Sequence, residues 1–161
     1  MRNQPIDLLI NNAGIFLDRP PHDTPTSWET FAQTLKTNTY APWALTEMLK
    51  PMIAQSSLRL VCTISSAYGS LTQTSQEGFY AYRASKTAIN SIMHGLADAY
   101  QDLGIKIIIM SPGWVQTDMT QGGNAPLTVS ESVGNMCQTL SNHHLLTSGG
   151  FYSHNGNVMP W

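Results

Sequence analysis

Tyr82 and Lys86 are four residues apart in the stretch Tyr80-Ala81-Tyr82-Arg83-Ala84-Ser85-Lys86. The residues that follow, through Ala97, read as a helix, because Ala81, Ala84, Ala88, Ile89, Ile92, Met93 and Leu96 recur at helical spacing. Side chains four apart on a helix are neighbours, so a phenol and an ammonium can lie side by side. A free tyrosine titrates near ~10, which leaves about a thousandth of it ionised at neutral pH. A fixed cation favours the phenolate, and bringing the phenol near ~7 takes ~4 kcal/mol. Such a tyrosine can give or take a proton in catalysis. The same spacing also describes a half-buried tyrosine beside a solvated lysine, so the pair alone does not decide.

A proton-transfer residue works only when other elements hold it, and the flanking sequence describes them. Ile6-Asp7-Leu8-Leu9-Ile10, Leu58 to Ser65 and Ile105-Lys106-Ile107-Ile108-Ile109-Met110 are nearly continuous apolar runs. Parallel strands covered on both faces have this composition. A last short strand, Gly150-Phe151-Tyr152-Ser153, leads to a turn at Asn155-Gly156. Between the strands, Thr26-Ser27-Trp28-Glu29 has capping-box spacing and opens a helix with Trp28, Phe31 and Leu35 on one side. Pro42 is expected to bend or split that helix before Trp43-Ala44-Leu45. Gly104 is the expected C-cap after the Tyr/Lys helix. Thr128-Val129-Ser130-Glu131 is a second capping box, with Val133, Met136, Cys137 and Leu140 inward. Strands alternating with helices predict an α/β fold with a parallel sheet.

Polar or glycine-bearing residues follow each of the first three strands, where α/β sheets bind ligands. Asn11-Asn12-Ala13-Gly14 follows the first, Ser65-Ser66 the second, and Ser111-Pro112-Gly113-x-Val115-x-Thr117 the third. Gly14 and Gly113 allow close approach, and Pro112 ends strand pairing. Each is also compatible with an ordinary turn. Residues 15–25, with Pro20, Pro21 and Pro25, read as a loop. Asn38 lies just ahead of the Pro42 break, where freed backbone groups need a partner such as water. The alternative for Asn38 is a helical side chain facing solvent.

In their order, Asn11-Asn12-Ala13-Gly14, Ile64-Ser65-Ser66, Tyr82-x-x-x-Lys86 and Pro112-Gly113-x-Val115-x-Thr117 resemble the short-chain dehydrogenase/reductase family, over nearly the whole chain. The resemblance implies a partial Rossmann fold and hydride transfer between NAD or NADP and a carbonyl or alcohol substrate. It implies Tyr82 as general acid/base, and Lys86 lowering its pKa and contacting the nicotinamide ribose. Ser66 would bond the carbonyl oxygen, with Ser65 as the alternative, and Asn38 would carry a relay water. Cofactor contacts would come from Asn11, Ala13, Gly14, Tyr82, Lys86, Pro112, Gly113, Val115 and Thr117. Asn11 matches an asparagine that ties neighbouring strands. Ser66 and Tyr82 are sixteen residues apart, longer than the family spacing, with the excess in Leu71 to Gly78. Residues 118–127 correspond to a substrate lid. The Ala125-to-Ser132 stretch and the Pro160-Trp161 ending are similar to C-factor and sniffer-type carbonyl reductases. Family architecture further implies a homo-oligomer, with helices around 28–53 and 80–102 and residues Trp43, Met48, Met52, Met93 and Tyr100 at the interface.

At 161 residues, 42% hydrophobic and 11% charged, the chain fits a single domain over 1–161 with a filled core. A net charge of −2 gives no basic field, so nucleic acid is not an expected partner. No apolar run approaches the ~18 residues of a membrane span, and the start lacks a secretory apolar region. Cys62 on a strand and Cys137 on a helix suit a reducing cytoplasm better than a disulfide. The histidines show no ligand spacing, so no metal is expected. Family members open with a strand, a glycine-rich turn and a helix that cradle pyrophosphate. That motif is absent, so the chain is expected to hold the C-terminal two-thirds of the Rossmann domain, lacking the first three strands. Its first strand would lie at an open edge, and NAD(P)H would bind weakly. Three readings stay open: an enzyme, a non-catalytic binding or signalling module of the same fold, and an inactive truncated fragment.

Overall fold

The aliphatic runs form a four-stranded sheet in the order β1 (Leu8–Asn11), β2 (Leu60–Ile64), β3 (Lys106–Ser111), β4 (Phe151–Ser153). Every pairing is parallel, with Ile10 opposite Cys62, Cys62 opposite Ile108, and Ile109 opposite Phe151. The computed structural model describes residues 4–18, 26–73, 78–120 and 124–161. Pro20, Pro21, Pro25 and the Gly122-Gly123 pair, all expected in loops, lie outside the described residues, as does the Thr74–Glu77 part of the polar excess.

Because side chains alternate along a strand, the sheet presents two apolar faces. Val61, Ile107, Ile109 and Phe151 pack with Ile53, Ile89, Met93 and Ala97 on one face. Leu60, Cys62, Ile108, Met110 and Tyr152 pack with the half-buried Met136 and Leu140 on the other. The first face is covered by α2 (Ala41–Ala54) and α3 (Tyr80–Ala99), the second by α4 (Val129–Ser141). The carboxyl ends of all four strands share one edge, which places the Asn11, Ser65-Ser66 and Ser111-Pro112 segments together.

Three local expectations are corrected. α1 (Trp28–Leu35) is capped by Ser27, whose Oγ accepts from the Thr30 N–H at 3.2 Å, so the cap falls one residue later than Thr26. Pro42 does not break the helix. The backbone stays helical from Leu35 through Tyr40 and Ala41, and the irregularity expected at Pro42 lies just before it, as a π-helical turn at Lys36–Tyr40 that separates α1 from α2 (Ala41–Ala54). α4 has the expected capping box, with the Thr128 N–H donating to Glu131 Oε2 at 2.8 Å. Its inward face is Ser132, Met136, Thr139 and Leu140, however, while Val133 and Cys137 face outward. Ser132 Oγ donates to the Pro112 carbonyl and Thr139 Oγ1 to the His154 carbonyl, and these two anchors set the rotation.

α3 is followed by a 3₁₀ turn at Gln101–Leu103 that Gly104 ends at φ +66°, as its position predicted. Met93 and Tyr100 are core residues and are not available to a subunit interface; Trp43 and Met48 are exposed. No described helix is long and apolar enough to cross a membrane, and no metal-ligand cluster occurs among the described residues.

Candidate active site

Tyr82 lies in the first turn of α3, turned inward and 7% exposed. The Phe16 ring tilts over it with centroids 4.5 Å apart, and Tyr68 meets it edge-on at 6.3 Å. The Ser66 side chain lies on the phenol's side and acts to lower its pKa. Ser66 caps the 3₁₀ turn Ala67–Gly69 just past β2, and its Oγ also accepts from the Tyr68 N–H at 3.2 Å. Ser65 is turned elsewhere: its Oγ donates to Asn90 Oδ1 at 2.5 Å in a fully buried pair. Of the two serines, Ser66 is therefore the one beside the phenol.

Lys86, one turn further along α3, is buried with Nζ 5.6 Å from the centre of the Tyr82 ring. Nζ donates to the Ile64 carbonyl at 3.0 Å. Burial pushes this lysine down to about 8, so it stays largely protonated at pH 7. The phenol does not behave as the Tyr/Lys spacing predicts. Burial raises it above its ordinary value, the nearby Ser66 side chain opposes the rise, and Tyr68 adds to it. Desolvation disfavours the charged form of both groups, and on the phenol it outweighs the opposing influences. At neutral pH Tyr82 is a protonated acid.

Asn38 stands in the π-helical turn and is 2% exposed. Its side chain is fully engaged: Oδ1 accepts from the Ile15 N–H at 2.8 Å, and Nδ2 donates to the Ile15 carbonyl at 2.8 Å and Ser85 Oγ at 3.0 Å. It clamps the strand-end turn to α3 and does not face solvent. Its backbone carbonyl lacks the usual helical partner four residues on, because residue 42 is a proline. Asn11 Nδ2 donates to Thr46 Oγ1 at 3.0 Å and Thr63 Oγ1 at 3.2 Å, tying β1 to α2 and β2. Its amide nitrogen is thus used inside the scaffold, while its Oδ1 is buried without a partner among the described residues. Ala13, in the turn that follows, is exposed. At Gly14 a Cβ would lie 3.4 Å from Asn38 Oδ1 and 3.6 Å from Lys86 Nζ, so the bare backbone leaves open a space bounded by both polar groups.

Pro112, Gly113, Val115 and Thr117 follow β3 at the same sheet edge, where the Ser65 N–H donates to the Met110 carbonyl at 2.6 Å. Gly113 has φ +83°, and a Cβ there would strike Leu127 at 2.7 Å and His154 at 3.2 Å, so the protein's own side chains already require a glycine. Val115 is buried and bridges to Leu127; Thr117 is exposed and its N–H donates to Thr120 Oγ1 at 3.0 Å. No hydrogen bond joins these two to Tyr82 or Lys86 among the described residues. Just before the segment expected as a lid, Gln116 donates its Nε2 to the Ala125 carbonyl at 2.9 Å.

An ammonium has three protons to give, and Lys86 Nζ makes one hydrogen bond within the described chain. With the opening at Gly14 beside it, this donor set suits a hydroxylated ligand such as a ribose.

The sequence reading missed Asp18, Phe16 and Asn90. Asp18 is buried, and its carboxylate accepts from the Ala81 N–H at 2.7 Å and the Tyr82 N–H at 3.3 Å. It caps α3 from a distant loop, because the residue at the N-cap, Phe79 in left-handed backbone, offers no side-chain acceptor. No local spacing signals a cap of that kind.

Comparisons with known proteins agree with this arrangement. The family model described as short chain dehydrogenase matches residues 1–127. The C-signal protein of Myxococcus xanthus is 34% identical over 158 residues, covering 98% of this chain and 93% of that protein. Among solved structures, the carbonyl reductase Sniffer of D. melanogaster superposes with a TM-score of 0.92 at 32% identity, covering 99% of this chain and 68% of that one. The NADPH-bound carbonyl reductase from chicken fatty liver gives 0.85 at 34% identity, covering 98% and 67%. With that match over most of its length, and with the parallel sheet and the Ser66–Tyr82–Lys86 cluster at its carboxyl edge, this chain belongs to the short-chain dehydrogenase/reductase family.

Proposed function

We propose that this chain reduces a carbonyl compound with NADPH or NADH, using Tyr82 as proton donor. The observation that carries this reading is the buried, protonated Tyr82 phenol with Ser66 beside it and the charged Lys86 behind it. Reduction builds negative charge on the carbonyl oxygen. Ser66 would direct its O–H to that oxygen, and Tyr82 would deliver the proton. A phenol held above its ordinary value keeps its proton until that charge develops, which suits reduction better than alcohol oxidation. Lys86 would stabilise the phenolate left behind, and the Asn38 carbonyl would hold the water that returns a proton through Lys86. Lys86 and the backbone of Ala13 and Gly14 would hold the ribose, and Val115 and Thr117 the carboxamide. NAD(P)H, when bound, supplies the hydride. The solved NADPH complex of the chicken enzyme supports this choice of cofactor.

We further propose that residues 1–161 act as one domain equivalent to the C-terminal two-thirds of a Rossmann reductase. Cysteine usage favours a cytoplasmic setting, and the exposed Trp43 and Met48 favour self-association through α2. A second reading, a module that keeps the fold without turnover, is favoured by the likeness to C-signal over nearly that protein's whole length. One experiment separates the two: fluorescence titration of the purified chain with NADPH, followed by NADPH oxidation with aromatic and aliphatic aldehydes. Saturable binding with turnover that Tyr82→Phe abolishes is the expected result. Binding without turnover selects the module, and a folded chain that binds nothing overturns both.

A further inference from the structure

Ser66 belongs to a short turn between β2 and α3, and that turn is gripped from one side by α3. Ser65 Oγ donates to Asn90 Oδ1 at 2.5 Å, and Asn90 Nδ2 donates to the Gly69 carbonyl at 3.3 Å. One carboxamide thus takes hold of the chain on both sides of Ser66, with its acceptor before and its donor after. Thr87 Oγ1 adds a second bond to the Gly69 carbonyl at 3.2 Å. The contact is close: a Cβ on Gly69 would lie 2.7 Å from Asn90 Nδ2 and 3.0 Å from the Lys86 carbonyl. Asn90 is 1% exposed and on the same buried face of α3 as Tyr82 and Lys86.

We propose that Asn90 is the positioning residue for Ser66, referencing the serine hydroxyl to the helix that carries Tyr82. This rests on the roles given to Ser66 and Tyr82 above. Ser66 stands on a turn, and a misplacement of about 1 Å at a reacting group can cost ~100-fold in rate. Only an amide fits the position. Aspartate keeps the acceptor for Ser65 but has no proton for Gly69, and leucine keeps neither.

Two measurements on the full chain test it. The first is a double-mutant cycle with NADPH and an aldehyde substrate. Asn90→Ala should lower kcat at least tenfold and leave NADPH affinity within twofold. In a Ser66→Ala background the same substitution should cost less than twofold, because there is no hydroxyl left to place. An equal cost in both backgrounds would show a purely structural role and overturn the proposal. The second needs no turnover: amide hydrogen exchange at Gly69 and Ser70, whose N–H groups close the turn onto Ser66 and Ala67. It should quicken at least tenfold in Asn90→Ala, with the Met93–Ala99 amides unchanged. Unchanged exchange at Gly69 and Ser70 refutes the proposal even in an active enzyme. Faster exchange in a chain without turnover sustains the positioning role and removes only the catalytic reading. If Asn90→Ala does not fold, Ser65→Ala removes one of the two links and should move both readouts the same way, by at least threefold; no movement there also refutes it.

Discussion

α3 and α4 cover opposite faces of one parallel sheet, and their buried polar residues differ in kind. α3 buries Tyr82, Ser85, Lys86 and Asn90 along a single stripe. Ser85, Lys86 and Asn90 hold hydrogen-bond partners in Asn38, Ile64 and Gly69, and Tyr82 lies beside Ser66. α4 buries only Ser132 and Thr139, and both end on backbone carbonyls. The remaining contacts of α4 are the apolar Met136 and Leu140. Buried polar groups must be paired, so a helix bearing several of them is committed to one register against its neighbours. That constraint fits α3 to hold reacting groups in place, while α4 serves mainly to cover apolar surface.

The comparison is tested most strongly at Tyr82. Tyr82→Phe should lower turnover by 10²–10⁴-fold or more and change stability by only about 1 kcal/mol, the value of one hydrogen bond. Steady-state kinetics beside chemical denaturation read both; retention of more than about a tenth of the turnover contradicts the assigned role. Lys86→Met gives the next effect, and its sign depends on pH. The native lysine titrates near 8 and the unfolded one near 10.5. Below pH 8 the native state bears the full cost of burying the charge. Between about pH 8 and 10.5 the native lysine is neutral while the unfolded one still binds a proton, so the wild type gains stability relative to Lys86→Met as pH rises. The gain should approach 3 kcal/mol over that window, measured by urea denaturation of both proteins at each pH. A pH-independent difference would mean that the lysine is solvated.

Asp18→Ala should cost about 1–2 kcal/mol, the usual value of a helix cap, and Asp18→Asn should restore most of it. Activity should fall with Asp18→Ala, because the lost bonds hold the turn that carries Tyr82. The smallest effect belongs to the α4 side. Cys137→Ser should stay within about 0.5 kcal/mol, since the residue is exposed. Cys62 is buried on β2, with its thiol pushed up to about 12. A thiol reagent should therefore label Cys137 alone in the native protein, and both cysteines in denaturant. Rapid native labelling of Cys62 would show that the α4 face opens.

Much of the fold was legible because its signals are local. The aliphatic runs at Leu58–Ser65 and Ile105–Met110 read as buried parallel strands and are so within a few residues at each end. Gly104 and the Thr128/Glu131 box read correctly because a cap depends on residues three or four apart. The rotation of α4 did not, because Val133 and Cys137 satisfy the same apolar period as the true inward face. Contacts with Pro112 and His154 chose between them. Ser66 was preferred over Ser65 by position, whereas the engagement of the Ser65 hydroxyl by Asn90 was not legible, because the two lie twenty-five residues apart.

By itself, the sequence determined the α/β class, the strand and helix order, the family and the list of polar residues at the strand ends. All of these follow from residue type and short spacing, which survive without knowledge of the neighbours. Only the tertiary structure decided the protonation of the centre and the means of holding it. The Tyr82/Lys86 spacing predicts a lowered phenol, but burial raises it, because desolvation depends on everything packed around the ring and on nothing in the local sequence. The cap on α3 comes from Asp18, and the bonds that hold the Ser66 turn come from Asn90. Both partners are distant along the chain, and only folding brings a lone acceptor or amide against the backbone group that lacks one.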